Sequence, residues 1–141
     1  DIEVTVVDEE LSVYDVHSIN AATREGNQAR AVITFNKAVV PTRDHLYINL
    51  VDGTAKVGTD VETTVEVVFQ NGNTVLETRE VSLPLPPRNS MLMPSGTNVV
   101  FVNMDIVSDG TTEGQESFTL QAAAKAFKSD LQSDSIVIRA D

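Results

Sequence analysis

A two-sheet antiparallel β-sandwich with Greek-key connections, of about eight to nine strands, is the fold class this all-β sequence predicts. Three observations carry that expectation. Apolar and polar residues alternate with a period of two along most of the chain. Asn, Asp, Gly and Pro turn signals interrupt the alternation at short intervals. One short run, Gln121 to Phe127 (QAAAKAF), is the main candidate for a helical turn. At 141 residues the chain is expected to form a single domain over 1–141, large enough to bury a real core.

Taken in order, Ile2 to Val6 alternates and reads as a short strand, and Leu11 to Val16 does the same after the acidic turn Asp8-Glu9-Glu10. Residues 1–22 therefore form an N-terminal extension with strand character. His17 to Gln28 is polar and irregular and reads as a loop. Ala31 to Phe35 is rich in branched and aromatic side chains, as strands are. A connection with Pro41 leads to the strand Leu46 to Leu50. Two turn signals follow, Asp52-Gly53 and Gly58-Thr59-Asp60.

Val61 to Phe69 alternates, and Asn71-Gly72 is a hairpin signal that returns the chain through Val75 to Val81. Ser82 to Asn98 holds four of the five prolines (Pro84, Pro86, Pro87 and Pro94). Proline cannot donate to a sheet ladder, so residues 82–98 read as an inserted loop or edge excursion. The stretch the rest is organised around is Val99 to Leu120. Val100, Val102, Met104 and Ile106 form one face, Ser108 to Thr112 turns the chain, and Phe118 and Leu120 resume an apolar face. Together they read as a central hairpin. Ser133 to Arg139 is the closing strand.

Composition narrows the function. A net charge of −11 argues against nucleic acid and anionic membrane as partners. No apolar run is long enough for a membrane-spanning helix, so no membrane insertion is expected. Without cysteine there is no disulfide and no thiolate metal site. That suits the cytosol, and equally a secreted bacterial protein stiffened by bound cations. The chain begins and ends in strand-like sequence, as a segment of a longer protein would. Asp109, Glu113 and Glu116 lie close together with no Lys or Arg among them. Such a loop is either fully solvated or wrapped around a hard cation, Ca²⁺ above all.

Four pieces then occur in a telling order. They are Arg24-Glu25-Gly26 before ARAVITF, the run Asp52 to Asp60 (DGTAKVGTD), the run Ser108 to Phe118 (SDGTTEGQESF), and the terminal SIVIRAD. In that order they resemble the Calx-β family, an Ig-like calcium-binding sandwich module of sodium–calcium exchangers, integrin β4 and large bacterial (RTX-type) adhesins. The resemblance covers roughly Thr23 to Asp141. It implies Ca²⁺ held at one end of the sandwich by Glu25, Asp60, Asp109, Glu113, Glu116 and Asp141, with the Thr111 carbonyl added. Ser108 and Ala140 stand where the family often has a further aspartate, and Val61 follows GTD where a hydrophobic or aromatic residue is usual, a milder change. Fewer carboxylates imply about one or two ions.

The resemblance further implies a non-enzymatic, extracellular, cell-surface module of a bacterial adhesin, with neighbouring domains of the same chain as partners. Calcium would rigidify the fold and the domain junction. An alternative is a recognition module for peptide or glycan. In it, Ca²⁺ or the proline-rich loop meets the ligand, through Leu85, Met91 and Met93 for apolar contact and Arg88 for a carboxylate. Leu83 and Leu92 share that apolar character, and the same residues could instead fold down as a flap over the core. A cytosolic calcium sensor fits less well, because dense aspartate endings are missing.

Bland readings stand beside these. An Asp after Gly-Thr also serves ordinary Asx turns. Glu113 and Glu116 have the close spacing of a glycosidase carboxylate pair, but Trp, the usual sugar platform, is absent. His17 and His45 are far apart without an evident acidic partner, and no serine sits in a Gly-x-Ser-x-Gly turn. Catalysis is not expected.

Overall fold

Alternation along the strands sorts the side chains into one buried layer between two sheets. The computed structural model describes residues 13–19, 23–24, 26–39, 45–83, 91–107, 114–124 and 131–139. Its strands are β1 (Val13–Ser18), β2 (Thr23–Arg24), β3 (Gln28–Phe35), β4 (His45–Val51), β5 (Val61–Asn71), β6 (Thr74–Ser82), β7 (Met91–Leu92), β8 (Val99–Ile106), β9 (Glu116–Ala123) and β10 (Gln132–Arg139). One sheet has the order β1-β3-β8-β5-β6 and the other β2-β10-β9-β4-β7. Apart from β2 and β7, two residues each, the strands match the number expected. All pairs are antiparallel except β2 with β10, which run parallel. The set β1-β3-β8-β5 against β4-β9-β10 has the strand order of an immunoglobulin-type sandwich, four strands facing three.

The inner faces follow the period of two. Ala29, Ala31, Ile33 and Phe35 of β3 lie beside Val100, Val102, Met104 and Ile106 of β8 and Val65, Val67 and Phe69 of β5, all buried. Leu46, Ile48 and Leu50 of β4, Phe118, Leu120 and Ala122 of β9, and Ile136 and Ile138 of β10 close over them. The register of β5 slips between Val61 and Val65 against β8. Both valines stay buried there, while Thr63, on the same alternation, is exposed. At the tip of β5–β6, Asn71 faces Thr74 across Gly72-Asn73, and Gly72 takes a positive φ of 56°. A two-residue loop of that hand matches the strand twist.

Three expectations change. β8 and β9 are not a hairpin: they belong to opposite sheets, so 107–115 connects across the sandwich. Of the helical turn expected over Gln121 to Phe127, Gln121–Ala123 is instead the end of β9, paired with Tyr47–Asn49 of β4, and 125–127 lie outside the described residues. Ala122, Ala123 and Ala124 are buried, and small side chains lying flat on a sheet override helix preference there. The irregular reading of His17 to Gln28 gives way to strand at both ends, in β1 and β2–β3. The proposed strand Ile2–Val6 lies outside the described residues, as do 84–90 of the proline-rich stretch.

Candidate calcium site

One end of the sandwich gathers the segments that carry the expected ligands. Gly26, with φ of 79°, turns the chain from β2 into β3, and its N–H donates to the Ile106 carbonyl at 3.0 Å. Ile106 in turn donates to the Asn27 carbonyl at 3.0 Å. The residues flanking Glu25 are therefore tied to the last residue of β8. The next amide, Val107, donates to the Asp60 carbonyl at 2.9 Å, which brings the β4–β5 loop to the same place. β9 starts at Glu116, opposite Ile138, while Arg24 and Arg139 are paired across the parallel ladder. Five stretches far apart in sequence thus meet, as the end loops of a sandwich must.

Of the seven expected ligands, Asp60 and Glu116 are described, and both are half-buried. Glu25, Asp109, Thr111, Glu113 and Asp141 lie outside the described residues. Asp60 Oδ2 accepts the Lys56 amide at 2.8 Å, so the local turn role is real. Oδ1 of the same carboxylate takes no hydrogen bond from a described residue. Among the described residues no three His, Cys, Asp or Glu side chains are grouped to hold a metal. Asp60 and Glu116 would need the carboxylates of the neighbouring segments to complete a coordination shell.

The loop 52–60 is itself a built object. Asp52 Oδ1 accepts the Val57 amide at 2.8 Å, and Lys56 Nζ donates to the Gly53 carbonyl at 2.9 Å. Two bonds fasten this loop to β9: Ala55 N–H to the Ser117 carbonyl, and Ser117 N–H to Thr54 Oγ1, each 2.9 Å. The DGTAKVGTD run and the ESF run therefore touch, through one backbone bond and one bond to the Thr54 hydroxyl. Thr54 and Ser117 were not legible as partners, because a Thr after Asp-Gly reads only as turn composition.

The recognition reading of the proline-rich stretch fares differently. Met93 is 2% exposed and Leu83 5%, both in the core, and Met91 packs against it. Met93 is thus not surface contact but part of the flap-like alternative. The reason is local: β7 pairs with the head of β4, His45 opposite Leu92 and Leu46 opposite Met91. Residues 93–98 then form a clasp in which Gly96 N–H donates to the Val39 carbonyl at 3.1 Å and Val39 N–H to the Thr97 carbonyl at 2.8 Å. Thr97, fully buried, spends its hydroxyl on the Pro94 carbonyl. Leu92 remains 58% exposed, and Leu85 and Arg88 lie outside the described residues.

His17 has an acidic partner after all. Asp15, two residues back on the same strand, contacts its Nδ1 at the surface. On the outer face of the first sheet a shallow hollow is bordered by Glu62, Glu66, Glu80 and Asp105. Glu66 stands directly opposite Glu80, and the Asn103 amide donates to Glu66 Oε1 at 2.9 Å.

No family model matches the chain, and no curated protein matches it. Among solved structures it is similar to one titled "AvmM Catalyzes Macrocyclization in Alchivemycin A Biosynthesis". The identity is 10%, with a TM-score of 0.46 over 90% of this chain and 88% of that one. Macrocyclisation is an activity of that protein.

Proposed function

We propose that this chain is a non-enzymatic calcium-binding module of a large extracellular bacterial adhesin, in which Ca²⁺ stiffens the sandwich end and its junction to the next domain. The observation that supports this reading is the meeting of the Gly26 turn, the Asp60 loop, the end of β8, the start of β9 and the end of β10 at one end. Glu25, Asp60, Asp109, Glu113, Glu116 and Asp141, with the Thr111 carbonyl, would hold the ion. Bound calcium supplies a charge that cancels their mutual repulsion and adds a further tie between these segments. In the unfolded chain the same carboxylates are dispersed, so binding favours the folded state.

Thermal melting in chelator and in millimolar Ca²⁺ tests the reading. At ten times the dissociation constant, linkage contributes about 1.4 kcal/mol, a rise of about 4–6 °C for a domain of this size. Glu113→Gln and Glu116→Gln should each remove most of that rise while melting like the parent in chelator. A parent protein whose melting temperature ignores Ca²⁺ would falsify the assignment.

A further inference from the structure

The long edge of the first sheet carries a feature independent of the calcium site. Three of the four sheet edges are blunted, as soluble sandwiches require. β2 and β7 are two residues long, and β1 has a register shift between Val13 and Asp15, with Ser18 N–H bonded across to Asp134 Oδ2 at 2.7 Å. β6 is different. It runs nine residues at the edge, with Thr78, Glu80 and Ser82 exposed and Val75 and Leu76 55% and 39% exposed. It contains no lysine and no proline. Among the described residues nothing pairs with its outward side.

The hydrogen-bond phase of that edge follows from the ladder. Leu83 N–H donates inward to the Thr63 carbonyl at 2.8 Å, and the pairing from Thr64 opposite Ser82 to Phe69 opposite Glu77 is unbroken. In an antiparallel ladder inward and outward groups alternate, so Thr78, Glu80 and Ser82 aim their N–H and C=O groups at solvent. The centre of the strand, Glu77-Thr78-Arg79, is complementary in charge to its own reverse. About a two-fold axis at Thr78, an antiparallel second copy sets Thr78 against Thr78 and Glu77 against Arg79, while the bulged Leu76 falls opposite Glu80. Glu77 and Arg79 already bridge within one copy at 2.6 Å on the inward-facing side. A second copy turns this pair into an alternating four-charge row, the favourable cross-strand arrangement.

We propose that β6 is a homodimerisation edge, joining two copies antiparallel about Thr78 into one continuous ten-stranded sheet. The interface is small, so association is weak and concentration-dependent. At the two-fold, position 78 faces itself, which makes a stringent test possible. Sedimentation velocity is run in chelator over a protein concentration series, so that no metal bridge contributes. The parent should show reversible dimer formation at the upper end. Thr78→Lys and Thr78→Glu, each placing like charges face to face, should associate at least about fivefold more weakly alone. Mixed in equal amounts, they should recover a heterodimer. Thr78→Pro removes only an outward donor and should abolish association while keeping the parent's melting temperature. A parent that stays monomeric throughout overturns the proposal. So does a Lys or Glu variant that dimerises like the parent, or a mixture that associates no better than its components.

Discussion

Replacing Phe118 by alanine is expected to lower stability by about 3–5 kcal/mol, a large share of what a domain of this size possesses. Phe118 is 1% exposed and among the largest fully buried side chains. It sits on β9 opposite Ile136 of β10, in the layer formed with Leu120 and the β4 leucines. Two residues earlier is Glu116, and the intervening Ser117 fastens the 52–60 loop. A cavity at Phe118 therefore loosens the strand from which the candidate site is hung. Urea unfolding reads the effect as a lower midpoint at unchanged slope. Phe118→Leu, which keeps most of the volume, should recover a good part of the loss. A cost under about 1 kcal/mol for the alanine variant would contradict the packing described.

How much of this was legible can be argued residue by residue. Alternation located β3, β4, β5, β6 and β8 because a half-buried strand writes its two faces directly into the sequence. Asn71-Gly72 marked the tight hairpin between β5 and β6 because few residues accept its backbone hand. The partner of a strand is not written that way. Turn chemistry between β8 and β9 is the same whether the chain folds back or crosses to the other sheet, so a hairpin was expected where a crossover stands. Leu83 and Met93 were read as exposed contact surface or as a flap over the core, an ambiguity that the surrounding prolines leave open. Yet Val81 and Leu83 continue the period of two along β6, and both are buried. His17 and Asp15 share a face by the same rule.

The candidate site was legible as composition and motif order only. Of the described ligand candidates, Asp60 lies in the β4–β5 connection and Glu116 at the start of β9, and their placement at one end depends on sheet order, which no local pattern encodes. Gly53 shows the limit well: Asp-Gly announced a turn and nothing more. The structure makes that glycine a point of contact between the loop and β9.

Gly53→Ala is accordingly expected to destabilise the domain by about 2 kcal/mol, although glycine to alanine in an open loop often stabilises slightly. A Cβ at this position would lie 2.3 Å from the Ser117 carbonyl oxygen and 3.1 Å from its carbon. Neither atom can step aside cheaply. Ser117 is within β9, paired with Val137, and its carbonyl accepts the amide of the fully buried Ala55. Relief requires moving the loop, which stretches the Ala55 bond and the return bond from Ser117 N–H to Thr54 Oγ1. Each lost bond adds about 1 kcal/mol to the cost. Gly114→Ala is the matched control, since nothing among the described residues lies within 4 Å of a Cβ there. Its melting temperature should equal or slightly exceed the parent's, while that of Gly53→Ala falls by several degrees. Because the displaced loop carries Asp60 and the displaced strand Glu116, the proposed calcium-induced rise should shrink as well. Equal melting of the two variants would show that the loop and β9 do not meet at Gly53.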